Sequence, residues 1–199
     1  MDWLLLLFLL GAFVIGSIPF GLLASKLFHA KDPRESGSGN IGFTNVLRVS
    51  GKKAGFLTLL GDFGKGLVVA LLAQGFLEQE ALVLGMTLAV ILGHIFSVFL
   101  KFRGGKGVAT ALGAILGLDA PLGLILIGIW GITVFIFRYS SGGALVSFGV
   151  FPIISYLTSQ SLTFLIFAAI VTICIFWRHQ SNILNIIQGT ENKVNNFSS

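Results

Sequence analysis

Charge is what this chain has least of. Lys, Arg, Asp and Glu together make up 11% of its 199 residues, against 55% hydrophobic residues. That balance excludes an ordinary soluble domain, because one small core cannot hide so much apolar surface. The chain reads as an integral membrane protein. Cysteine is almost missing: Cys174, the single one, lies in an apolar run, so no internal disulfide can form and the residue reads as packing. Acidic residues number 8 against 13 Lys and Arg, a net charge of +5. The basic residues flank apolar runs instead of sharing a polar face, so membrane orientation explains them better than nucleic acid does. No positive residue precedes the first apolar run, which starts at Met1-Asp2-Trp3 and continues to about residue 27. It is too long and wrongly flanked for a cleaved signal peptide, and reads as an uncleaved span. Internal repeats, a Ser/His/Asp set and a metal-ligand cluster are all missing.

What is present is a series of seven apolar runs, at 3–27, 54–76, 81–100, 108–118, 122–137, 144–157 and 162–177. A full span takes about 20 residues, so the fourth and sixth runs are short and open to a re-entrant reading. Charge favours seven crossings. They put residues 28–53, 101–107, 138–143 and 178–199 on one side, and these, with Lys26, hold every Lys and Arg except Lys65. The opposite side carries Asp2, Glu78, Glu80 and Asp119 and no basic residue. Basic loops stay cytoplasmic, so the N-terminus is expected outside and the C-terminus inside. The expectation is an all-α polytopic membrane protein with seven transmembrane helices. Residues 1–191 form a single domain, and the Asn- and Ser-rich 192–199 a flexible tail.

The stretch that organises the rest is Lys101-Phe102-Arg103-Gly104-Gly105-Lys106-Gly107-Val108-Ala109-Thr110. Glycines allow successive N–H groups to line one concavity, Val108 opens a helix whose N-terminus favours phosphate, and Lys106 can close over the anion. This is not the Gly-x-x-x-x-Gly-Lys-Ser/Thr pattern of nucleotide-binding loops. The competing reading is a tight turn whose Lys101, Arg103 and Lys106 serve as membrane anchors. A second cytoplasmic segment, Gly37-Ser38-Gly39-Asn40 through Thr44-Asn45 to Arg48, leads into a helix on which Thr44 and Arg48 share a face. A third carries Arg138-Tyr139-Ser140-Ser141, and the tail carries His179, Asn182 and Glu191. Several anion-binding loops at one membrane face suggest a site for more than one phosphate. Within the bilayer, Asp62 and Lys65 pair at i,i+3, and His94 and Ser97 sit near a helix end. These four read as structural links and are left outside the site.

With these motifs assembled, the chain resembles the bacterial membrane acyltransferases that acylate glycerol 3-phosphate from an acyl phosphate donor. The resemblance runs from the first span to Glu191. It implies that Ser38, Gly39, Asn40, Thr44, Asn45 and Arg48 line the substrate site, and that Gly104, Gly105, Lys106 and Gly107 hold phosphate. It further implies that His179, Asn182 and Ser141 are catalytic. The expected substrates are acyl phosphate and glycerol 3-phosphate, the surroundings membrane lipid, and no nucleotide, CoA, metal, nucleic acid or obligate protein partner is implied. The chain departs from the family pattern at three positions. Asn185 stands where a basic residue is usual, Ala144 where a serine is, and Ser97 where proline is.

An acyl phosphate already carries a good leaving group, so the task left to the protein is to hold two anions and aim a hydroxyl at a carbonyl. His179 reads either as the base for that hydroxyl or as a phosphate ligand while a substrate oxygen takes the proton. A covalent route through Ser38 or Ser141 is disfavoured, since neither has a partner base in sequence. An anion transporter and a headgroup-binding scaffold are the rival classes; neither explains three glycine and asparagine motifs at one face as well.

Overall fold

The computed structural model describes residues 3–158 and 160–194. Asp2, counted above among the outer acidic residues, and positions 195–199 of the expected tail lie outside them. The chain divides into two compact units, 1–120 and 121–199. The first holds α1 (Trp3–Ser17), α2 (Phe20–Leu27), α3 (Phe43–Phe76), α4 (Glu80–Ile95), a 3-10 turn (Val98–Leu100) and α5 (Val108–Leu118). The second holds α6 (Ala120–Phe137), α7 (Ser140–Leu157), α8 (Leu162–Arg178) and α9 (Gln180–Ile187). Each expected apolar run is helical, and the all-α class is observed.

The count of crossings is less direct. Among the described residues, Phe43–Phe76, Glu80–Leu100, Ala120–Phe137 and Ser140–Leu157 are each long and apolar enough to cross a membrane. Two bent pairs, α1 with α2 at 42° and α8 with α9 at 61°, raise the number to six. The seventh expected crossing is α5, whose 11 residues rise only about 16 Å, about half the hydrocarbon thickness. Length and composition thus support four to six crossings and do not reach seven. Most of α5 is buried, and its backbone lies directly on α3. A Cβ on Gly66 would overlap the Thr110 carbonyl, and one on Gly113 the Phe63 carbonyl. Glycine at such crossings lets helices approach where the solvent is lipid and contact alone must hold them.

Two interruptions shape the first unit. Pro19 separates α1 from α2 and leaves carbonyls without helical donors. The Ser17 carbonyl accepts from Ser97 Oγ at 2.5 Å, and the Ile18 carbonyl accepts from Lys65 Nζ at 3.0 Å. A proline at 97 could not make the first of these bonds. Within α3, Gly51 adopts φ +87°, so residues 43–50 form a separate amphipathic segment ahead of the long span.

In the second unit, Phe148, Phe151, Phe164 and Phe167 pack edge to face between α7 and α8. Pro152 has no N–H to donate to the Phe148 carbonyl four residues back. Thr172 Oγ1 of α8 supplies that bond at 2.9 Å. Thr172→Val keeps the shape and removes the donor, so it is expected to cost about 1 kcal/mol of stability. Thermal unfolding in detergent checks this; a midpoint equal to the parent's would show that the bond contributes nothing.

Candidate active site

The first group of site residues is built by the segment before α3. Gly37 and Gly39 have φ of +66° and +68°, and the turn they make brings backbone groups around one side chain, Asn45. Asn45 Oδ1 accepts from the Ser38 N–H at 2.9 Å, and Nδ2 donates to the carbonyls of Pro33, Asn40 and Ser36 at 2.8, 2.8 and 3.2 Å. Asn45 is buried, and its amide is spent on holding the loop. Asn40 Oδ1 accepts from the Gly42 N–H at 2.8 Å and so starts the helix that Phe43 opens. Ser38, Gly39 and Arg48 are exposed, with Thr44 half-buried one turn before Arg48. Nearby, Asp32 accepts a forked pair of bonds from Arg34. Those bonds hold the Asp32 carboxyl below the usual carboxylate range.

The glycine loop differs from expectation in how it uses its N–H groups. Lys101 and Phe102 take left-handed φ of 52° and 62°, and the chain folds back on the end of α4. The Gly104 N–H donates to the Ile95 carbonyl and the Gly105 N–H to the His94 carbonyl, both at 3.0 Å. The last carbonyls of a helix need donors, and these two glycines supply them. Gly104 and Gly105 therefore cap α4 and do not turn those N–H groups toward a ligand. A Cβ on Gly104 would overlap the same two carbonyls, so the glycines are required by close approach. N–H groups without an intrahelical acceptor fall later. Gly107, at φ +89°, opens α5, and its carbonyl accepts the first helical bond from Ala111 at 2.8 Å. The N–H groups of the first turn, residues 108–110, precede that bond, and half-buried Lys106 stands beside them. Thr110 Oγ1, in the same turn, is one of two buried side-chain atoms among the described residues without a hydrogen-bond partner.

The second unit brings Ser141 and Asn182 together through Glu191. Glu191 Oε1 accepts from Ser141 Oγ at 2.5 Å and from Asn182 Nδ2 at 2.7 Å, and Oε2 from Asn185 Nδ2 at 3.4 Å. The sequence offers Ser141 no partner carboxylate; the fold supplies one 50 positions away. The Asn185 backbone carbonyl accepts from the Thr190 and Glu191 N–H groups. The backbone at 185 thus fastens the tail, and the Asn185 side chain adds only the long contact to Glu191. His179 is 3% exposed, and its Nδ1 lies 2.7 Å from the Ile175 carbonyl. A carbonyl can only accept, so Nδ1 carries a hydrogen and Nε2 is the acceptor nitrogen of the neutral ring.

From the sequence Glu191 marks only a motif end, although a lone carboxylate in a tail rich in amides is itself a signal for an acceptor. His94, which reads from the sequence as a structural link with Asp62 and Lys65, lies against Gly105 in the fold, with Asp62 on its far side.

A family profile described as glycerol-3-phosphate acyltransferase matches residues 6–189. A glycerol-3-phosphate acyltransferase of Coxiella burnetii is 46% identical over 184 residues, covering 92% of this chain and 94% of the relative. Relatives of the same description are 46% identical in Jannaschia sp., covering 94% and 91%, and 42% identical in Dechloromonas aromatica, covering 94% of each. Two crystal structures of PlsY (YgiH), an integral membrane glycerol 3-phosphate acyltransferase, share the fold. Its glycerol 3-phosphate form has a TM-score of 0.89 at 34% identity, and its lysophosphatidic acid form 0.85 at 33%; each comparison covers 95% of this chain and 94% of the other. This chain belongs to the glycerol-3-phosphate acyltransferase family.

Proposed function

We propose that this protein moves a fatty acyl group from acyl phosphate to the 1-hydroxyl of glycerol 3-phosphate, yielding 1-acylglycerol 3-phosphate and inorganic phosphate. Family membership over nearly the whole chain carries the reading, and the glycerol 3-phosphate and lysophosphatidic acid forms of PlsY support acceptor and product. The donor is the one the family resemblance implies, and its chemistry balances without a cofactor: the carbonyl of a mixed anhydride accepts the hydroxyl, and phosphate departs with the bonding pair.

The residues divide that work. Lys106 and the first-turn N–H groups of α5 hold phosphate and offset its charge, with Arg48 and Ser38 as further exposed polar groups for a phosphorylated polyol. Asn45, Gly104 and Gly105 contribute by shaping the loops. His179 Nε2 takes the proton of the attacking hydroxyl, while Nδ1–H on the Ile175 carbonyl keeps the ring in the tautomer that can do so. Glu191 orients Asn182, whose amide serves the carbonyl oxygen as it gains negative charge. Ser141 anchors the same carboxylate.

The test is phosphate release by purified protein given acyl phosphate, with and without glycerol 3-phosphate, alongside detection of 1-acylglycerol 3-phosphate. Release that needs the acceptor and equals product supports the reading. Phosphate crossing vesicles with no acyl product would replace it with transport.

On this reading the site faces the cytoplasm from the bacterial inner membrane, with seven crossings and the N-terminus outside. Basic loops favour this arrangement, and it requires α5 to count as a crossing. A cysteine introduced near Gly189, at exposed Gln188, in a Cys174→Ser background, is expected to react with a membrane-impermeant thiol reagent only after the cells are opened. Labelling of intact cells would remove the orientation.

A further inference from the structure

Three ionisable side chains of the first unit are buried among its helices, and the chemistry above uses none of them. Asp62 is 2% exposed, Lys65 6% and His94 4%. Asp62 Oδ1 accepts from Lys65 Nζ at 2.7 Å and lies 3.3 Å from His94 Nδ1. Lys65 Nζ also donates to the Ile18 carbonyl, at the bend between α1 and α2. Charge in hydrocarbon is costly unless paired, so pairing alone accounts for Asp62 and Lys65.

Pairing does not account for the other edge of His94. Its Nδ1 faces Asp62, and its Nε2 fills the space that a Cβ on Gly105 would take. The backbone repeats the contact, because the His94 carbonyl accepts the Gly105 N–H. The imidazole thus stands between a buried ion pair and the loop that leads to Lys106. Its far end is fixed, since Lys65 ties Asp62 to the broken span.

We propose that His94 is a positioning residue for the acyl transfer: braced by Asp62 and Lys65, its imidazole is the strut on which Gly105 rests, and it sets where the Lys106 loop holds phosphate. This rests on the phosphate-holding reading of that loop. Displacing a substrate-holding group by about 1 Å can cost up to about a hundredfold in turnover efficiency without touching a reacting atom.

Two amide side chains separate the ends of the strut. His94→Asn puts its amide nitrogen where Nδ1 stands, keeping a donor to Asp62 and vacating the Gly105 end. His94→Gln puts its nitrogen where Nε2 stands, filling the Gly105 end and loosening Asp62. KM and kcat for both phosphate substrates, and the thermal midpoint, are measured on the purified full chain of each, beside Lys106→Ala. The strut requires that Asn keep the midpoint yet raise KM for one phosphate substrate about tenfold, and that Gln lower the midpoint yet hold KM within about threefold. A packing role requires the opposite ranking, with Asn the better variant throughout; that ranking, or equal KM in both variants, overturns the proposal. If Gln does not fold, Asn decides alone: raised KM in folded protein supports the strut and unchanged KM overturns it. Lys106→Ala separates the two readings. Should it act like the parent, the phosphate-loop reading fails and takes the strut with it; should it be impaired while Asn keeps the parent KM, only the strut fails.

Discussion

Lys106→Ala is expected to lower kcat/KM at least about a hundredfold in protein that still elutes as a single folded species. Removing one preorganised group that meets developing charge typically costs about 10²–10³ in rate. Lys106 stands beside the first turn of α5, where helix geometry leaves N–H groups without intrahelical acceptors. Those N–H groups supply partial charge only; the ammonium is the full charge that offsets a phosphate held there. Lys106→Arg keeps that charge but spreads it over a wider planar fork, so it should recover part of the loss. Initial rates of acceptor-dependent phosphate release across both substrate concentrations provide the measurement. A folded Lys106→Ala protein with parental kinetics would leave Lys106 as a membrane anchor.

His179→Ala is expected to reduce kcat by about 10²–10⁴ with KM changed by less than about threefold, the signature of a proton acceptor that works in the transition state. The geometry behind this is the bond from Nδ1–H to the Ile175 carbonyl, which assigns the basic lone pair to Nε2. His179→Asn is the sharper variant. Its amide can reproduce the bond to Ile175 and has nothing at the Nε2 position, so it should be as slow as alanine while keeping the local fold. If either variant instead raised KM and left kcat intact, His179 would be a phosphate ligand and a substrate oxygen would receive the proton.

The motifs of the candidate site are visible in the residues themselves because they are local. A glycine run with Lys106 before the helix at Val108, and Thr44 and Arg48 one turn apart on the helix from Phe43, depend on contacts a few positions away. The same local logic misassigned detail. Glycine N–H groups were expected to face an anion, but Gly104 and Gly105 give theirs to the end of α4. Asn45 was expected to line the site, and its amide instead gathers the Pro33, Ser36 and Asn40 carbonyls. A buried backbone polar group left unpaired is costly, and that demand is met before any ligand is considered.

The residues alone determined that this chain is helical and lies in a membrane, because apolar runs with so little charge have no other stable arrangement when every backbone group must be bonded within the segment. They also determined where polar chemistry collects, since charge is excluded from the spans. Tertiary structure decided which polar groups meet. It joined Ser141 and Asn182 to Glu191, gave the Phe148 carbonyl left by Pro152 to Thr172, and set Gly105 on His94 above Asp62 and Lys65. Each of these pairings spans helices or a long stretch of chain, and its partner is chosen by how close two backbones can approach, which residue spacing does not encode.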